Sequence, residues 1–141
     1  METITYSAQQ TQRLGEQFAR HLTGGEVIAL IGPLGSGKTT FVQGLARGLG
    51  IERRVVSPTF VFIRDYELKG GRTLFHVDLY RISFGEEVKA LGLEEIWSDP
   101  KHIVVIEWAE KIREIWPPQT IKVYFEYLGS NKRKIRYAFN H

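Results

Sequence analysis

Residues 32–39 read Gly32-Pro33-Leu34-Gly35-Ser36-Gly37-Lys38-Thr39, which is a complete Gly-x-x-x-x-Gly-Lys-(Ser/Thr) phosphate-binding loop. The apolar residues 27–31 precede this loop, and a segment with helical character, residues 39–49, follows it. The motif needs strand, loop and helix in that order, because the strand fixes the loop while the helix offers its unpaired N–H groups and the positive end of its dipole to an anion. The sequence therefore predicts a site for a nucleoside triphosphate.

Two side chains of the loop have predicted roles of their own. Lys38 supplies a point charge for the β- and γ-phosphates of the nucleotide, and the hydroxyl of Thr39 is a candidate ligand for Mg²⁺. A site of this kind also needs a carboxylate at the end of a strand, to hold the ion or its water shell. The loop thus directs attention to acids that end apolar strands.

Two acids meet this condition. Glu107 follows the branched apolar residues 103–106, and Asp78 follows residues 74–77, where His76 interrupts the apolar run. Sequence reasoning does not say which acid lies nearer the metal and which handles the water. We expect His76 to be buried and hydrogen-bonded rather than a metal ligand, because a spacing of two on a strand merely puts it on the same face as Asp78.

The segment Ser57-Pro58-Thr59-Phe60 lies where many small NTPases have a mobile loop that senses the γ-phosphate. A hydroxyl in this segment can reach Mg²⁺ or the terminal phosphate. The alternative is a proline turn that leads into a strand, and spacing alone favours neither. Trp108 likewise has two interpretations: it is either a core aromatic residue or part of the wall of the nucleotide pocket. The basic residues 132–134 predict a solvated face, with a nucleotide-facing or partner-facing role as the alternative.

Length and composition narrow the class of protein. A chain of 141 residues with 43% hydrophobic content predicts one domain, residues 1–141, with little room for a separate substrate domain or a large lid. No apolar run approaches the ~18–20 residues that cross a bilayer, and residues 1–12 lack the features of a signal peptide. We therefore expect a cytoplasmic protein with no membrane contact.

The cysteine count excludes several kinds of chemistry, and the net charge bears on the possible partners. The chain has no cysteine, which excludes disulfides, a disulfide-linked partner, thiol catalysis and a cysteine-ligated metal. The net charge of +3 permits an acidic partner but does not by itself indicate nucleic acid.

Periodicity and turn residues predict an α/β protein. Ser7 is a candidate N-cap for a first helix of about fifteen residues. The other expected elements are strands at 27–31, 60–68, 72–80, 102–107, 120–128 and 132–139, an extended segment at 55–60, and helices at 39–49, 85–91 and 109–116. The predicted fold is a three-layer sandwich like that of P-loop NTPases, in which a mixed sheet has a parallel core and attached antiparallel hairpins.

Four motifs taken together resemble one family. The phosphate loop, Ser57-Pro58-Thr59-Phe60, His76-Val77-Asp78-Leu79-Tyr80-Arg81 and Glu107-Trp108 are similar in order and spacing to the TsaE (YjeE) family of small bacterial P-loop ATPases. The total length also agrees, so the resemblance covers nearly the whole chain. Many proteins share the phosphate loop, whereas the combination of the four motifs is much more specific.

The resemblance implies an accessory ATPase in tRNA modification, with ATP and Mg²⁺ as its cofactors. The modification is N6-threonylcarbamoylation of the adenosine next to the anticodon, in tRNAs that read codons beginning with A. The implied partner is a TsaD–TsaB heterodimer that performs the transfer, so that tRNA is met indirectly through that complex. TsaC or its relative makes the threonylcarbamoyl-adenylate, and ATP hydrolysis by the small ATPase supports multiple turnovers.

The resemblance also implies roles for single residues. Thr39 and Glu107 would place Mg²⁺, and Ser57 to Phe60 would form the switch-like loop. A basic residue after the last hairpin turn would reach the nucleotide, and of Lys132 and Arg133 we select Lys132. The expected catalytic residues are Lys38, Asp78, Thr59 and Glu107; the expected nucleotide-binding residues are Leu34, Gly35, Ser36, Gly37, Lys38, Thr39, Thr40, Trp108 and Lys132.

Two other functions remain alternatives on the sequence. A small-molecule kinase shares the phosphate loop, but such kinases normally carry an arginine-rich lid and an acceptor pocket, and neither is obvious in this chain. A nucleotide-gated binding module with little turnover is the other. ATP consumption with and without acceptors, and with the partner heterodimer, separates the three.

Overall fold

Seven strands form one mixed sheet in the computed structural model, which describes residues 1–56, 62–83, 85–89 and 91–139. The strands are β1 (Glu2–Thr5), β2 (Val27–Ile31), β3 (Ile63–Glu67), β4 (Thr73–Asp78), β5 (His102–Glu107), β6 (Ile121–Tyr127) and β7 (Arg133–Tyr137), in the spatial order β1-β7-β6-β2-β5-β4-β3. The four central strands β6, β2, β5 and β4 run parallel, while β3 and β7 pair antiparallel with their neighbours and β1 pairs antiparallel with β7. The predicted parallel core with antiparallel hairpins is confirmed.

Four α-helices and two 3₁₀-helices complete the described chain. The α-helices are α1 (Ala8–Ala19), α2 (Lys38–Gly48), α3 (Gly85–Lys89) and α4 (Leu93–Trp97), and the 3₁₀-helices are Lys69–Gly71 and Ala109–Ile115. Helix α1 begins where the sequence predicts, because the hydroxyl of Ser7 accepts a hydrogen bond from the Gln10 amide (3.1 Å). The side chain of Gln10 accepts one in return from the Tyr6 amide (2.8 Å), which completes a reciprocal cap.

The two faces of the sheet are covered by different helices, which makes the three layers. Helices α1 and α2 pack on one face, where Phe18, Phe41 and Leu45 meet alternate residues of the strands. Helices α3 and α4 and the 3₁₀-helix Ala109–Ile115 cover the central strands on the other face. Strand β5 is buried on both faces, which explains its unbroken apolar run.

Helices α1 and α2 approach each other at backbone contact. A Cβ atom at Gly44 would collide with the carbonyl oxygen of Gln12, and one at Gly15 would collide with that of Phe41. Only glycine allows so close a crossing, because any side chain at these positions would separate the helices. The close crossing fixes the position of α2 relative to α1, and both helices pack on the same face of the sheet.

The structure adds elements that the sequence reasoning missed. Strand β1 was not predicted, because its only strand partner, β7, lies about 130 residues later in the chain. Helix α4 has only five residues, too few to show a helical period. The one or two helical turns predicted at 109–116 form a 3₁₀-helix, Ala109–Ile115, whose backbone is irregular at Ile112. This tighter geometry is common in short connecting segments.

Candidate functional site

The phosphate-binding loop lies at the carboxyl edge of the parallel strands, between β2 and α2. Gly37 precedes the first residue of α2 with φ of 100°, a left-handed conformation that favours glycine. Strand β2 lies between β5 and β6, so the loop faces the ends of several parallel strands. In open α/β sheets, ligands bind outside the carboxyl ends of the strands.

A cavity of about 550 Å³ opens beside this loop. The N-terminal end of α1, the ends of β4 and β5, and the β6–β7 turn form its other walls. The residues that line it are Ser7, Ala8, Thr11, Leu34, Gly35, Ser36, Gly37, Lys38, Thr39, Thr40, Asp78, Tyr80, Glu107, Trp108, Asn131 and Arg133. The structure thus brings together, in one cavity, the predicted loop residues, both candidate acids and Trp108.

Lys38 is buried inside this cavity. Its ammonium group donates a hydrogen bond to the carbonyl of Gly32 and lies 3.4 Å from the ring centroid of Trp108. Burial lowers the pKa of Lys38 below its ordinary value, while the negative charges of Glu110, Glu107 and Asp78 oppose that shift. An anion that enters the cavity would meet a poorly solvated cation.

Glu107 has a partner at each oxygen of its carboxylate. Its Oε1 atom accepts a hydrogen bond from the hydroxyl of Thr39 (2.8 Å), and its Oε2 atom lies 2.6 Å from Nε2 of His76. His76 is fully buried, so the expectation of a buried, hydrogen-bonded histidine is confirmed. The sequence signal for this contact was the histidine that interrupts the apolar run of β4.

Asp78 lies beside Glu107 in the sheet. The two residues are register partners at the ends of β4 and β5, and the Asp78 carboxylate accepts a hydrogen bond from the amide of Tyr80 (2.9 Å). Of the two candidate acids, Glu107 is the one that bonds the loop hydroxyl of Thr39. The geometry therefore distinguishes two acids that the sequence left equivalent.

The hydroxyl of Ser36 is buried and has no hydrogen-bond partner among the described residues. A buried polar atom without a partner is costly, and such atoms are few in folded proteins. A phosphate oxygen in the loop would provide the missing partner. The donor set of the loop therefore fits a phosphate group.

The residues beside Thr39 are of the type that binds Mg²⁺. Among the described residues, no group of three or more His, Cys, Asp or Glu side chains is arranged to hold a metal ion. Mg²⁺ is usually held by one or two carboxylates together with phosphate oxygens and water rather than by a cage of side chains. The Thr39 hydroxyl and the Glu107 carboxylate are the residues that could hold such an ion.

Trp108 lies along the cavity with a left-handed backbone, φ of 60°. This conformation is uncommon outside glycine and clusters at functional sites.

The structure adds two neighbours of Trp108 that the sequence reasoning did not select. The ring of Tyr80 lies 5.3 Å from that of Trp108, and the ammonium of Lys111 donates to the carbonyls of Tyr80 (2.7 Å) and Ile82 (2.9 Å). Lys111 thereby ties the loop after β4 to the 3₁₀-helix after β5.

The basic β6–β7 turn places its two candidate residues differently. Arg133 lines the cavity, whereas Lys132, the residue that we selected from the sequence, lies outside its lining, and a contact of Lys132 with nucleotide stays a prediction. The reason is that β7 begins at Arg133, so the two neighbouring side chains point in different directions. The guanidinium of Arg133 donates to the carbonyl of Gly129 (2.8 Å), while the ammonium of Lys132 lies 5.7 Å from the ring of Tyr6.

The predicted switch segment Ser57 to Phe60, which includes Thr59, lies outside the described residues. Its proposed role stays a prediction. Within the described ranges, no helix combines the length and apolar character needed to cross a bilayer.

The fold and the phosphate-binding loop define a P-loop NTPase-like α/β protein. Residues 5–135 match the family model described as threonylcarbamoyl adenosine biosynthesis protein TsaE. The chain belongs to the TsaE family, as the four motifs indicated.

Individual relatives agree with this assignment. A tRNA threonylcarbamoyladenosine biosynthesis protein TsaE from Treponema pallidum is 38% identical, over 98% of this chain and 100% of the relative. The protein of the same name from Nostoc sp. is 46% identical, over 89% of this chain and 78% of the relative. The crystal structure of Bacillus subtilis YdiB matches with a TM-score of 0.80 at 31% identity, over 97% of this chain and 83% of that one.

Proposed function

We propose that this chain is a Mg²⁺-dependent ATPase that supports tRNA threonylcarbamoyladenosine formation through a TsaD–TsaB heterodimer. The ATPase part rests on the cavity in which Lys38, the Thr39–Glu107 pair and the Ser36 hydroxyl, which has no hydrogen-bond partner in the described part of the chain, meet at the phosphate-binding loop. Membership of the TsaE family carries the pathway part. Such a role belongs in the cytoplasm.

Each residue of the cavity has a task in this proposal. The loop amides, with the hydroxyl of Ser36, donate to phosphate oxygens, and the ammonium of Lys38 leaves the Gly32 carbonyl to neutralise the terminal phosphates. Thr39 and Glu107 would hold Mg²⁺. When bound, Mg²⁺ neutralises charge that develops on the phosphate oxygens.

The remaining residues act on the water and the nucleotide. Asp78 supplies a second carboxylate next to Glu107, where it can orient the attacking water by accepting one of its protons. Trp108, Tyr80 and Arg133 border the cavity, so they would contact a nucleotide bound there. Hydrolysis in a site of this kind depends mainly on positioning and electrostatic stabilisation.

The first prediction tests the ATPase proposal. Lys38→Ala removes the cation from the loop, so phosphate release from Mg²⁺–ATP should fall by about 100-fold or more. Lys122→Ala is the matched control, because it removes an exposed lysine from β6, away from the cavity. Phosphate release is measured without any added acceptor, and circular dichroism checks the fold. Wild-type turnover in a folded Lys38→Ala protein would contradict the proposal.

The proposed partner is tested with purified components. This chain should bind a TsaD–TsaB heterodimer in the presence of a non-hydrolysable ATP analogue, and it should raise the number of tRNA molecules modified per heterodimer. ATP consumption that depends instead on a small-molecule acceptor would favour the kinase alternative. No binding and no effect on modification would refute the pathway role.

A further inference from the structure

The pair formed by His76 and Glu107 is buried beneath the phosphate-binding loop. The side chains are 0% and 3% exposed, and the Nε2–Oε2 distance is 2.6 Å. His76 lies on β4 and Glu107 ends the neighbouring strand β5, so two parallel strands fix the two ends of this contact. Because both side chains are buried and their strands are paired, the contact is fixed by the fold and is not one rotamer of a mobile surface side chain.

The contact continues toward the loop. The second carboxylate oxygen of Glu107 accepts the hydroxyl of Thr39 at 2.8 Å, so a single chain of hydrogen bonds joins His76 to the first turn of α2. His76 does not line the cavity, whereas Glu107 and Thr39 do. Its influence on any ligand therefore passes through the carboxylate.

The direction of the hydrogen bond follows from the chemistry of the carboxylate. An ionised carboxylate has acceptors only, so the proton between the two side chains must belong to Nε2 of His76. The other ring nitrogen, Nδ1, is buried and has no hydrogen-bond partner among the described residues, so Glu107 is the polar side chain that engages the ring. Holding this tautomer leaves the Nδ1 acceptor unpaired, which is a cost that the contact with Glu107 offsets.

We propose that His76 is a positioning residue for the proposed Mg²⁺ site, and that its Nε2–H group fixes the Glu107 carboxylate with one oxygen directed at Thr39. The inference rests on the proposed ATPase function. Partners that orient a metal-binding carboxylate from outside the cavity typically change metal affinity by about 10–100-fold when they are removed. His76 acts through Glu107 and touches neither the cavity nor its contents.

Two substitutions of His76 by amide residues distinguish a role in positioning Glu107 from a role in packing. The amide nitrogen of glutamine reaches the place of Nε2, whereas that of asparagine reaches only the place of Nδ1, so His76→Gln keeps the donor and His76→Asn withdraws it. The binding of ATP is titrated with Mg²⁺ and, separately, in excess chelator. His76→Asn should need about 10–100-fold more Mg²⁺ for half-saturation, while His76→Gln stays within about threefold of the wild type. The affinity for Mg²⁺-free ATP should be the same in all three proteins.

Three results would overturn the inference: an unchanged Mg²⁺ requirement in His76→Asn, an equal requirement in both variants, or a parallel loss of Mg²⁺-free binding. A second measurement needs no variant, metal or nucleotide. Nitrogen-15 spectra of the wild-type protein should show His76 as the Nε2–H tautomer, and an Nδ1–H tautomer would refute the proposed donor even if neither variant folds. Failure of the proposed ATPase function would appear separately, as a wild-type protein that does not bind Mg²⁺–ATP.

Discussion

At the scale of single residues, Glu107 uses both oxygens of its carboxylate although the side chain is almost inaccessible to solvent. A buried charge is costly unless it is paired and hydrogen-bonded. Here the partners are a loop hydroxyl and a buried imidazole, while Asp78 on the neighbouring strand supplies a carboxylate to the same cavity. The two acids therefore differ in their surroundings although both end apolar strands.

This difference predicts different effects of two conservative substitutions. Glu107→Gln should raise the Mg²⁺ concentration for half-maximal ATP binding by at least about tenfold and leave Mg²⁺-free binding unchanged. Asp78→Asn should change that concentration less and reduce turnover more, because the role proposed for Asp78 is to orient the attacking water. Binding titrations and phosphate release distinguish the two. If Asp78→Asn alone shifts the Mg²⁺ requirement, the two acids have the opposite roles.

Trp108 predicts an optical signal for nucleotide binding. The Lys38 ammonium lies 3.4 Å from its ring, so ATP that attracts this ammonium changes the surroundings of the indole. Most of the ATP-induced change in tryptophan fluorescence should disappear in Trp108→Phe. Trp116→Phe is the control, because the Trp116 indole donates to the Ala109 carbonyl (3.0 Å) and does not line the cavity. A full signal in Trp108→Phe would assign the response to another tryptophan.

At the scale of elements, the position of the phosphate-binding loop depends on how α2 is held. Helix α2 starts within the loop at Lys38 and crosses α1 at backbone contact, where Gly44 faces the Gln12 carbonyl. Protein interiors are close-packed, so a methyl group at such a crossing must move one helix. A shift of α2 would move Lys38 and Thr39 with it.

The close crossing predicts a large effect of a small substitution. Gly44→Ala should lower the free energy of unfolding by at least about 2 kcal/mol, even though alanine is the better helix former. Arg47→Ala, on the same helix, removes only a solvent-exposed ion pair with Glu16 and should cost less than about 1 kcal/mol. Urea unfolding measures both. Equal stability of Gly44→Ala and the wild type would mean that the helices can separate without cost.

At the scale of the whole molecule, the parallel strands bring distant segments to one edge of the sheet. The cavity combines residues from the start of α1, from the phosphate-binding loop and α2, from the carboxyl ends of β4 and β5, and from the β6–β7 turn. Its volume of about 550 Å³ suits a nucleotide. The proposed output of hydrolysis is a conformational change that another protein reads.

This output predicts the behaviour of Thr59, which lies outside the described residues. If Thr59 senses the γ-phosphate, Thr59→Ala should bind ATP nearly as well as the wild type but lose the turnover stimulated by TsaD–TsaB. Nucleotide affinity and repeated tRNA modification are measured side by side in a reconstituted system. Full modification with Thr59→Ala, or a wild-type protein that proves dispensable for repeated turnover, would contradict the switch role.

The amino-acid sequence by itself determined the features that depend on neighbouring residues. The order of strand, loop and helix around the phosphate-binding loop, the N-cap at Ser7, the apolar strand β5 and the β6–β7 hairpin follow from local spacing and turn chemistry. The family also followed from the sequence, because four short motifs in fixed order are a property of the chain. In these cases the interacting residues are close in sequence or repeat with a helix or strand period.

Only the tertiary structure decided the features that join distant segments. Strand β1 pairs with β7, the contacts of Thr39 and His76 with Glu107 join three elements, and the sheet brings Arg133 of β7 to the same cavity as the phosphate-binding loop. No local pattern encodes these contacts, since each depends on which strands lie side by side. Sheet order and register are set by packing over the whole chain, and a shift of one residue turns every side chain to the other face.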